Sequence, residues 1–416
     1  MNAGTSEQPR APRSMKVRCC IVGGGPAGMM LGYLFGRAGI DAVVLEKHAD
    51  FFRDFRGDTV HPSTLQIMDE LGLIESFLRL PHQRLQKLEG MFGGTLVRIA
   101  DLSRLHTKYP FIAFMPQWDF LNFLRDSSRC FPSLKVMMST EATDLVQRGE
   151  TISGVHASTL DGPIDIEADL TVACDGRHST LRQRAGLEVQ EIGAPMDVLW
   201  FRASRGSDEA ANVFARVEMM VTFDRGEYWQ CAYVIAKGQY EVVKERGLQA
   251  LLADIIGMAP ILTSGIADVR SWDDIKLLTV AINRLKRWTR AGLLCIGDAA
   301  HAMSPVGGVG VNLAVQDAVA TANLLAEKIK AGCPSEDELD AVRRRREFPV
   351  KMTQRLQVVV QNRIISGALR PGNHPMSVPL ILRLVSAMPS LQAIPARIIA
   401  LGVRPEHVHS PVSSAA

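Results

Sequence analysis

Apolar and polar positions near the start of the chain follow a strand–helix–strand order. The run RCCIV is short and apolar, as in a buried parallel strand, and the segment MMLGYLFGRAG has apolar residues at helical spacing. The run DAVVLE then predicts a second strand that ends at Glu46. A unit of about thirty residues with this order is typical of a parallel sheet covered by helices.

A second strand-to-helix pattern lies in GLLCIGDAAHAMSPVGGVGVNLAVQDA, from Gly292 to Ala318. Its apolar run ends in Gly-Asp, and a loop of small residues and proline precedes the predicted helix. Between the two units, the runs DVLWFRAS, RVEMMVTFD and EYWQCAYVIA alternate imperfectly between apolar and polar residues. These runs predict strands of a sheet that is covered on one face.

The strand EYWQCAYVI places its side chains on two faces. Tyr228 and Gln230 share one face, whereas Trp229, Cys231 and Tyr233 share the other. The pattern leaves open which of these faces is buried in the core and which could line a pocket. Tyr228, Gln230 and Tyr233 are the candidate substrate contacts, although aromatic residues in a sheet are more often plain core.

The C-terminal region, residues 336–416, begins with an amphipathic helical pattern. Its later segment PLILRLVSAMPSLQAIPARIIALGV is apolar, but Pro389 and Pro395 interrupt it and Arg383 and Arg397 lie within it. Such a segment does not span a bilayer as one regular helix. We expect it to pack on the domain and cap the pocket; peripheral contact with a membrane surface is the less favoured alternative.

Composition excludes several classes of protein. The chain of 416 residues is 47% hydrophobic and 22% charged, which indicates a globular protein of two domains or of one domain with a large insertion. A net charge of +3 with five Trp and five Tyr gives no support for nucleic-acid binding. The seven cysteines include no Cys-x-x-Cys and indicate buried thiols in a cytoplasmic protein. No His/Cys cluster has the spacing of metal ligands, so we predict no metal.

Gly23, Gly25 and Gly28 form a G-x-G-x-x-G turn between the first strand and its helix. The first glycine permits the tight turn, the second lets the backbone approach a pyrophosphate, and the third lets helix and strand pack closely. The helix start offers unpaired N–H groups to phosphates. Glu46 follows Gly28 by 18 residues, where an acid accepts hydrogen bonds from a ribose. The unit therefore predicts an adenine-dinucleotide site.

The second glycine-rich loop favours FAD over NAD as that dinucleotide. Gly307, Gly308 and Gly310 lack the G-x-x-G spacing, so the loop is not a second fingerprint. Asp298, at the end of its strand, is placed to accept hydrogen bonds from a polyol, and FAD has a ribitol whereas NAD has none. The following helix would aim its positive end at the pyrimidine side of a flavin. We predict that this loop holds the far end of the same FAD molecule.

Three motifs in this order resemble those of the FAD-dependent monooxygenases of the para-hydroxybenzoate hydroxylase type, the group A aromatic hydroxylases. They are the glycine fingerprint with Glu46, the segment ACDGRHSTLR from Ala173 to Arg182, and the Gly-Asp segment that contains Asp298. The resemblance implies an α/β fold. It comprises a Rossmann-like FAD-binding domain of glutathione-reductase type, an inserted mixed β-sheet substrate domain and a C-terminal helical segment.

The resemblance also implies domain boundaries. The expected division is a disordered leader at 1–14, a discontinuous FAD-binding domain at 15–80, 115–185 and 288–335, a substrate domain at 81–114 and 186–287, and a C-terminal helical region at 336–416. The leader carries no apolar core of a signal peptide.

The resemblance further implies which residues hold the cofactor. Arg56 in FRGDTVHPSTLQIMDELGL best matches an arginine that reaches FAD, and Gln117 in MPQWDFLNFL matches a helix start that contacts it. Asp175, followed by basic residues, is expected where the FAD pyrophosphate and an incoming nicotinamide nucleotide are handled. The predicted FAD contacts are Gly23, Gly25, Pro26, Ala27, Gly28, Glu46, Lys47, Arg56, Gln117, Asp175, Gly297, Asp298, Pro305, Gly308, Gly310, Val311 and Asn312.

The activity implied is an NADH- or NADPH-consuming hydroxylation of an aromatic or other apolar small molecule through a flavin C4a-hydroperoxide. The partners are then that substrate and molecular oxygen, with water excluded from the pocket. The residues nominate no catalytic base, because His61, His178 and His301 are better explained as structural hydrogen-bonding residues. Monomer and homodimer are both open.

Two other functions stay open at this level. A flavoprotein reductase or dehydrogenase that acts on a quinone or isoprenoid would use the same motifs without oxygen insertion. A flavin-binding redox sensor would use them without turnover. A halogenase is disfavoured, because the sequence has no W-x-W-x-I-P motif.

Overall fold

The computed structural model describes residues 13–52, 59–92, 95–205, 215–216, 220–365 and 380–413. Its strands are β1 Arg13–Val22, β2 Ala42–Leu45, β3 Thr59–Val60, β4 Gln83–Leu85, β5 Lys87–Phe92, β6 Thr95–Asp101, β7 Ile112–Phe114, β8 Leu134–Met137, β9 Glu141–Arg148, β10 Thr151–Thr159, β11 Gly162–Ala173, β12 Val189–Glu191, β13 Met196–Ser204, β14 Ala215–Arg216, β15 Met220–Asp224, β16 Tyr228–Ala236, β17 Lys276–Leu278, β18 Asn283–Leu285, β19 Thr289–Arg290, β20 Leu293–Cys295 and β21 His301–Ala302.

The α-helices in the same ranges are α1 Pro26–Arg37, α2 Pro62–Glu70, α3 Ile74–Phe77, α4 Gln117–Ser127, α5 Thr180–Arg184, α6 Tyr240–Glu245, α7 Leu248–Met258, α8 Gly310–Ala331, α9 Glu336–Val360, α10 Leu380–Ala387 and α11 Pro389–Leu401. Two 3₁₀ turns, Gly297–Ala299 and Val306–Gly308, precede α8. A π-helical turn, Gln361–Ile365, follows α9.

The largest sheet has a parallel centre in which β1 lies between β2 and β11. Further parallel pairs join β2 to β8 and β11 to β20, and β9 and β10 extend the sheet as antiparallel strands. Cys19 and Cys20 are neighbours in β1, yet both side chains are fully buried. Both faces of β1 are therefore covered, as the continuous apolar run predicted.

A second sheet has the strand order β17-β13-β16-β15-β14-β5-β6. It contains the strand runs that the sequence predicted in β13, β15 and β16, and its edge pair β5–β6 comes from earlier in the chain. Two small sheets, β12-β18-β21 and β3-β7-β4, complete the β-structure of the described residues. This mixed α/β architecture confirms the predicted fold class; the division into domains stays a prediction.

The predicted leader is too long by two residues. Arg13 and Ser14, assigned to it from sequence, pair with Ile164 and Asp165 as the first residues of β1. The rest of the leader lies outside the described residues. Backbone pairing with β11 holds this end of the chain, although its side chains are polar and give no strand pattern.

Helix α8 belongs to the large hydrophobic core that surrounds the parallel sheet. The segment Val306–Ala331 is long and apolar enough to cross a membrane, but 78% of its most apolar window is buried inside the protein. It packs against α1 and α9. Core burial therefore accounts for its apolar composition.

His61 joins three helices at the edge of this core. It caps α2, its backbone N–H donates to Asn312 Oδ1 of α8 at 2.9 Å, and its Nδ1 lies 2.7 Å from the carbonyl oxygen of Ile399 in α11. Burial lowers the pKa of His61 to about 4, against the opposing effect of the Ile399 hydrogen bond. The imidazole is therefore neutral near pH 7 and has the structural role that was expected for it.

This buried histidine predicts a pH dependence of stability. The pKa of His61 is about 4 in the fold and 6.5 in the unfolded chain, so the unfolded state binds more protons between these values. The stability contribution is complete above pH 6.5 and is lost as the pH falls toward 4. Between pH 7 and pH 5 we expect His61 to account for a loss of about 2 kcal/mol in the free energy of unfolding. Urea unfolding of the wild type and of His61→Gln at both pH values measures the difference; an equal loss in the two proteins would contradict the assignment.

Candidate cofactor site

The turn between β1 and α1 combines close packing with one open position. Gly23 has φ +107°, and a Cβ on Gly28 would lie 1.9 Å from the Gly23 carbonyl oxygen, so backbone meets backbone there. A Cβ on Gly25, in contrast, would meet nothing within 4 Å. Gly25 caps α1 with no side-chain hydrogen bond, and Pro26 follows as the first helical residue. The first N–H groups of α1 thus face open space, which suits a phosphate.

Glu46 directly follows β2 and reaches back to this turn. Its Oε2 accepts from the Gly24 N–H and its Oε1 from the His48 N–H, each at 3.0 Å. These contacts fix the carboxylate beside the glycines, and a carboxylate oxygen can accept more than one hydrogen bond. Lys47 is exposed at the same edge.

Asp175 lies beside the glycine turn, because β11 runs parallel to β1 and ends next to it. A Cβ on Gly23 would lie 2.4 Å from the carbonyl oxygen of Cys174. Asp175 Oδ2 accepts from the Leu181 N–H at 3.1 Å, whereas Oδ1 is buried and has no hydrogen-bond partner among the described residues. Burial raises the pKa of this carboxyl, against the hydrogen bonds that lower it. A buried acceptor without a partner indicates that a donor from a bound molecule or water completes the site.

The Gly297–Ala299 turn brings the third motif to the same place. A Cβ on Gly297, which has φ +60°, would lie 3.1 Å from Ala27 Cβ of α1 and 3.4 Å from Ala314 Cβ of α8. Asp298 Oδ2 lies 3.9 Å from an Arg177 guanidinium nitrogen. The three motifs, separate in sequence, therefore meet at the carboxyl ends of β1, β11 and β20, where open α/β sheets bind ligands.

The loop from Pro305 to Asn312 is hydrogen-bonded to β3 and to the start of α2. Thr59 Oγ1 donates to the Gly308 carbonyl oxygen at 2.7 Å, and Asn312 Oδ1 accepts from Thr64 Oγ1 at 2.7 Å. Gly307 and Gly308 have positive φ angles of 81° and 62°, so the backbone turns without side chains. Helix α8 then begins at Gly310 and Val311 with no side-chain cap, which leaves its positive end open.

Two glutamines of α9 hold the other side of this loop, and the sequence analysis did not identify them. Gln354 Nε2 donates to the carbonyl oxygens of Asn283 and Ala302 at 2.8 and 3.1 Å. Gln357 accepts from the Ser304 N–H and donates to the Ser304 and Val306 carbonyl oxygens, at 2.9 to 3.1 Å. Their signal in sequence is weak, because polar residues on an amphipathic helix are usually solvated.

A buried chain of charges, also missed from sequence, supports the Gly-Asp turn. Asp317 Oδ2 accepts from the Gly297 N–H at 3.0 Å and lies 2.6 Å from His301 Nε2, so one oxygen atom holds both ends of the turn. Asp317 Oδ1 accepts from Arg346 Nε at 2.9 Å, and Arg346 in turn contacts Glu406 at 3.4 Å. Burial opposes ionisation of Asp317, but the charges and hydrogen bonds of His301 and Arg346 outweigh it and hold its pKa below the usual range.

All the predicted cofactor contacts stay predictions, and for Arg56 and Gln117 the structure adds no supporting contact. Arg56 lies outside the described residues. Gln117 begins α4 beside Pro116, and its side chain makes no hydrogen bond within the described part of the chain. It is free to bind a ligand, and no contact in the structure assigns one to it.

The two faces of β16 have different surroundings. Tyr233, with Trp229 and Cys231, belongs to the core cluster that packs on α7 behind the sheet. Ala232, on the other face, belongs to the cluster that includes Val306 of the glycine-rich loop. By alternation, Tyr228 and Gln230 are on this second face. The structure therefore corrects the predicted substrate contact of Tyr233, while Tyr228 and Gln230 remain candidates.

The face of the second sheet near Val306 is apolar and aromatic. The rings of Trp200 and Phe223 stack at 6.1 Å with an interplanar angle of 17°, and the Phe114 ring lies 5.4 Å from Phe223. At the end of the same face, the Arg202 guanidinium lies 4.8 Å from the centre of the Tyr228 ring. Such a wall suits a flat apolar molecule.

The geometry fits FAD. One end offers bare helix N–H groups and Glu46, the middle offers the unpartnered Asp175 oxygen and Asp298, and the other end offers a glycine backbone under an apolar sheet. When bound, the flavin supplies electron transfer and oxygen activation. The structure assigns no catalytic base among the histidines near these motifs. His178 is exposed, the His301 ring contacts the Asp317 carboxylate, and the His61 ring contacts the Ile399 carbonyl oxygen.

Comparison with known proteins agrees with this assignment. Residues 16–356 match the family described as FAD binding domain. The chain is 31% identical over 374 residues to 6-methylpretetramide 4-monooxygenase of Streptomyces rimosus, which is 88% of each chain. It is 26% identical to dialkyldecalin synthase of Streptomyces rugosporus, over 76% of this chain and 66% of that protein's length. The crystal structure of p-nitrophenol 4-monooxygenase PnpA from Pseudomonas putida DLL-E4 has a TM-score of 0.73 at 21% identity, covers 92% of this chain and 97% of its own, and shows the shared fold alone.

Gly25 and Gly28 make a matched pair for testing whether the turn between β1 and α1 binds the FAD pyrophosphate. In Gly28→Ala the new Cβ collides with backbone, and we expect the unfolding temperature of the apoprotein to fall by about 5 °C. In Gly25→Ala the Cβ has space, so this temperature should not change, while the Kd for FAD should rise at least about tenfold because the methyl group takes the place of a phosphate. Differential scanning calorimetry and flavin titration measure both. Wild-type FAD affinity in Gly25→Ala would exclude this turn as the pyrophosphate site.

Removing the charge of Asp317 should loosen the Gly-Asp turn. Asp317→Asn leaves the buried Arg346 with Glu406, at 3.4 Å, as its remaining charged partner, and we expect a loss of about 3 kcal/mol in stability together with a higher Kd for FAD. Glu406→Gln is the control, because it weakens the outer contact of Arg346 and leaves the Gly297 and His301 contacts in place. If both variants lose stability but only Asp317→Asn loses FAD affinity, the carboxylate positions the turn; an equal change in FAD affinity in both would contradict that role.

Proposed function

The chain belongs to the FAD binding domain family and is an FAD-dependent monooxygenase of the para-hydroxybenzoate hydroxylase type, and we propose that it hydroxylates a fused-ring aromatic compound that carries phenolic or enolic oxygen atoms. The electron donor is NADPH or NADH, and the second substrate is molecular oxygen. The reductase, dehydrogenase and redox-sensor alternatives are not favoured by the named relatives.

The aromatic wall of the second sheet is the observation that supports a fused-ring substrate. Trp200 and Phe223 of this sheet and Phe114 of the neighbouring β7 form a row with centroid separations of 6.1 and 5.4 Å, which is longer than a single benzene ring. The relative 6-methylpretetramide 4-monooxygenase, which matches over 88% of both chains, supports the same substrate class. An extended planar molecule would bury most of its apolar surface against this row.

The polar end of the wall would select the oxygenated edge of that molecule. Arg225 Nε donates to Gln230 Oε1 at 2.9 Å, and Arg202 lies over Tyr228. Guanidinium groups and an amide are donors that bind a phenolate or enolate oxygen. Binding there would lower the pKa of the substrate's own hydroxyl, which activates the ring without a dedicated histidine base.

The residues of the first domain would hold the flavin and control its charge. The start of α1 and Glu46 would bind the adenosine diphosphate part, and Asp298 the ribityl chain. The open positive end of α8 would stabilise negative charge on the pyrimidine side of the flavin. Asp175 and Arg177 would handle the incoming nicotinamide nucleotide. The apolar sheet above would exclude water from the reacting atoms.

The cellular setting and assembly are further proposals. All seven cysteines are free, and five are buried, which suits the reducing cytoplasm. Monomer and homodimer both stay predictions.

Anaerobic stopped-flow reduction of the flavin by NADPH and by NADH tests the function. Measured with and without a panel of mono-phenols, fused-ring phenols and quinones, reduction should accelerate with a fused-ring phenol. With oxygen added, the product should gain one oxygen atom by mass spectrometry. Fast reduction with nothing added, followed by reoxidation by a quinone without oxygen, would instead support the reductase function.

The aromatic wall predicts the efficiency of oxygen transfer. In Trp200→Ala, water should enter beside the substrate, and we expect the fraction of NAD(P)H consumption that ends as hydrogen peroxide to rise severalfold. Trp272→Ala is the matched control, because Trp272 packs on Tyr240 behind the sheet at 6.1 Å. A peroxidase-coupled assay beside oxygen consumption gives both fractions. Equal peroxide release from the two variants would contradict the placement of the substrate on this wall.

A further inference from the structure

Positive charge is concentrated in one stretch near the end of the chain. From Phe348 to Pro405 the sequence contains no Asp or Glu. The seven cations of that stretch are Lys351, Arg355, Arg363, Arg370, Arg383, Arg397 and Arg404. Because the whole chain has a net charge of +3, the rest of it is negative. The stretch therefore differs in electrostatic character from the body of the protein.

The stretch includes α10 and α11, and each helix has a face turned to the protein. Ser386 Oγ accepts from the Arg98 N–H of β6 at 3.1 Å, and Gln392 Nε2 donates to the Ser386 carbonyl oxygen at 3.1 Å. Ala396 and Ala400 are fully buried. These inward residues recur at the spacing of one helix face.

The opposite faces of the two helices are exposed and apolar. Leu384 of α10 is 49% exposed, Met388 between the two helices is 48% exposed, and Ile394 and Ile398 of α11 are 60% and 37% exposed. Arg383 and Arg397 are exposed beside them. Large apolar side chains together with arginine, at helical spacing and without any acid, are the pattern of a helix that lies in a membrane interface.

We propose that the outer faces of α10 and α11 dock on a phospholipid bilayer that contains anionic lipids. Leu384, Met388, Ile394 and Ile398 would enter the boundary between headgroups and acyl chains, and Arg383 and Arg397 would bind the phosphates. Pro389, where α11 begins, marks the division into two short helices, and two short helices favour lying on the surface over spanning it. A second copy of the chain is the poorer occupant, because two such faces would place like charges against each other.

The position of α11 gives this docking a use, and that use rests on the proposed function. The inner side of α11 packs in one apolar cluster with Phe114 and Phe223, the residues of the aromatic wall. A fused-ring phenol dissolved in the bilayer would therefore reach the pocket along α11 without crossing bulk water.

Flotation of the full-length flavoprotein with vesicles tests the proposal and needs no turnover. We expect binding to vesicles of phosphatidylcholine with about one third phosphatidylglycerol, weak binding to phosphatidylcholine alone, and release in high salt. The variant Leu384→Gln/Met388→Gln/Ile394→Gln/Ile398→Gln should raise the lipid concentration for half-binding at least about tenfold. Leu160→Gln is the matched control, since Leu160 is 89% exposed on the turn between β10 and β11.

A charge variant keeps the test valid if the quadruple variant does not fold. Arg383→Gln/Arg397→Gln should weaken binding to anionic vesicles only, whereas Arg129→Gln/Arg148→Gln, at exposed positions of the first domain, should not. Unchanged binding in both α10–α11 variants, or equal binding of the wild type to neutral vesicles, would overturn the proposal. So would a dimer in sedimentation that only the quadruple variant dissociates. Because lipid binding is measured without substrate, failure to hydroxylate any phenol would count against the proposed function alone.

Discussion

The cofactor site depends most on the hydrogen bonds and ion pairs of the buried Asp317 carboxylate. This carboxylate lies in the middle of α8 with no exposure to solvent, and its two oxygens bind the Gly297 N–H, His301 and Arg346. A buried carboxylate is tolerated only when its partners neutralise it, so the positions of these groups depend on one another. The Gly-Asp turn, the core helix and α9 thereby form one rigid unit. The ribityl end of the flavin would rest on that unit and not on a loop free to move.

Close backbone packing is the second constraint, and it acts at the other end of the same molecule. Gly28 packs on Gly23, Gly23 on Cys174, and Gly297 on Ala27. Each contact excludes a side chain where two elements meet, and together they draw the ends of β1, β11 and β20 into one cleft. Gly25, in contrast to these three glycines, has open space around its Cα, and that space is where the ligand's phosphates are expected. The missing side chains thus allow close contact at Gly23, Gly28 and Gly297, and they leave an opening at Gly25.

One face of the second sheet packs into a small core, and the other is the face proposed to bind substrate. Odd-numbered residues of β16, such as Trp229 and Tyr233, bury against α7 and close a small core. Even-numbered residues face the glycine-rich loop at Val306, together with Trp200 of β13. A strand places neighbouring residues on opposite faces, so adjacent aromatic residues have unrelated roles. Helix α11 closes one side of the substrate face and leaves its own outer face exposed.

The sequence by itself determined the parallel sheet, the glycine turn, the position of Glu46 at the end of β2 and the choice of FAD, because each depends on residues close in the chain. Tertiary structure alone decided which face of β16 is core, since alternation is symmetrical until helix α7 covers one side. It also decided that Gln354, Gln357 and Arg346 of α9 support the cofactor loops. These side chains lie on an ordinary amphipathic helix, and their partners are between 29 and 71 residues away. Local patterns record what neighbouring residues do, whereas a buried polar contact is defined only when distant segments meet.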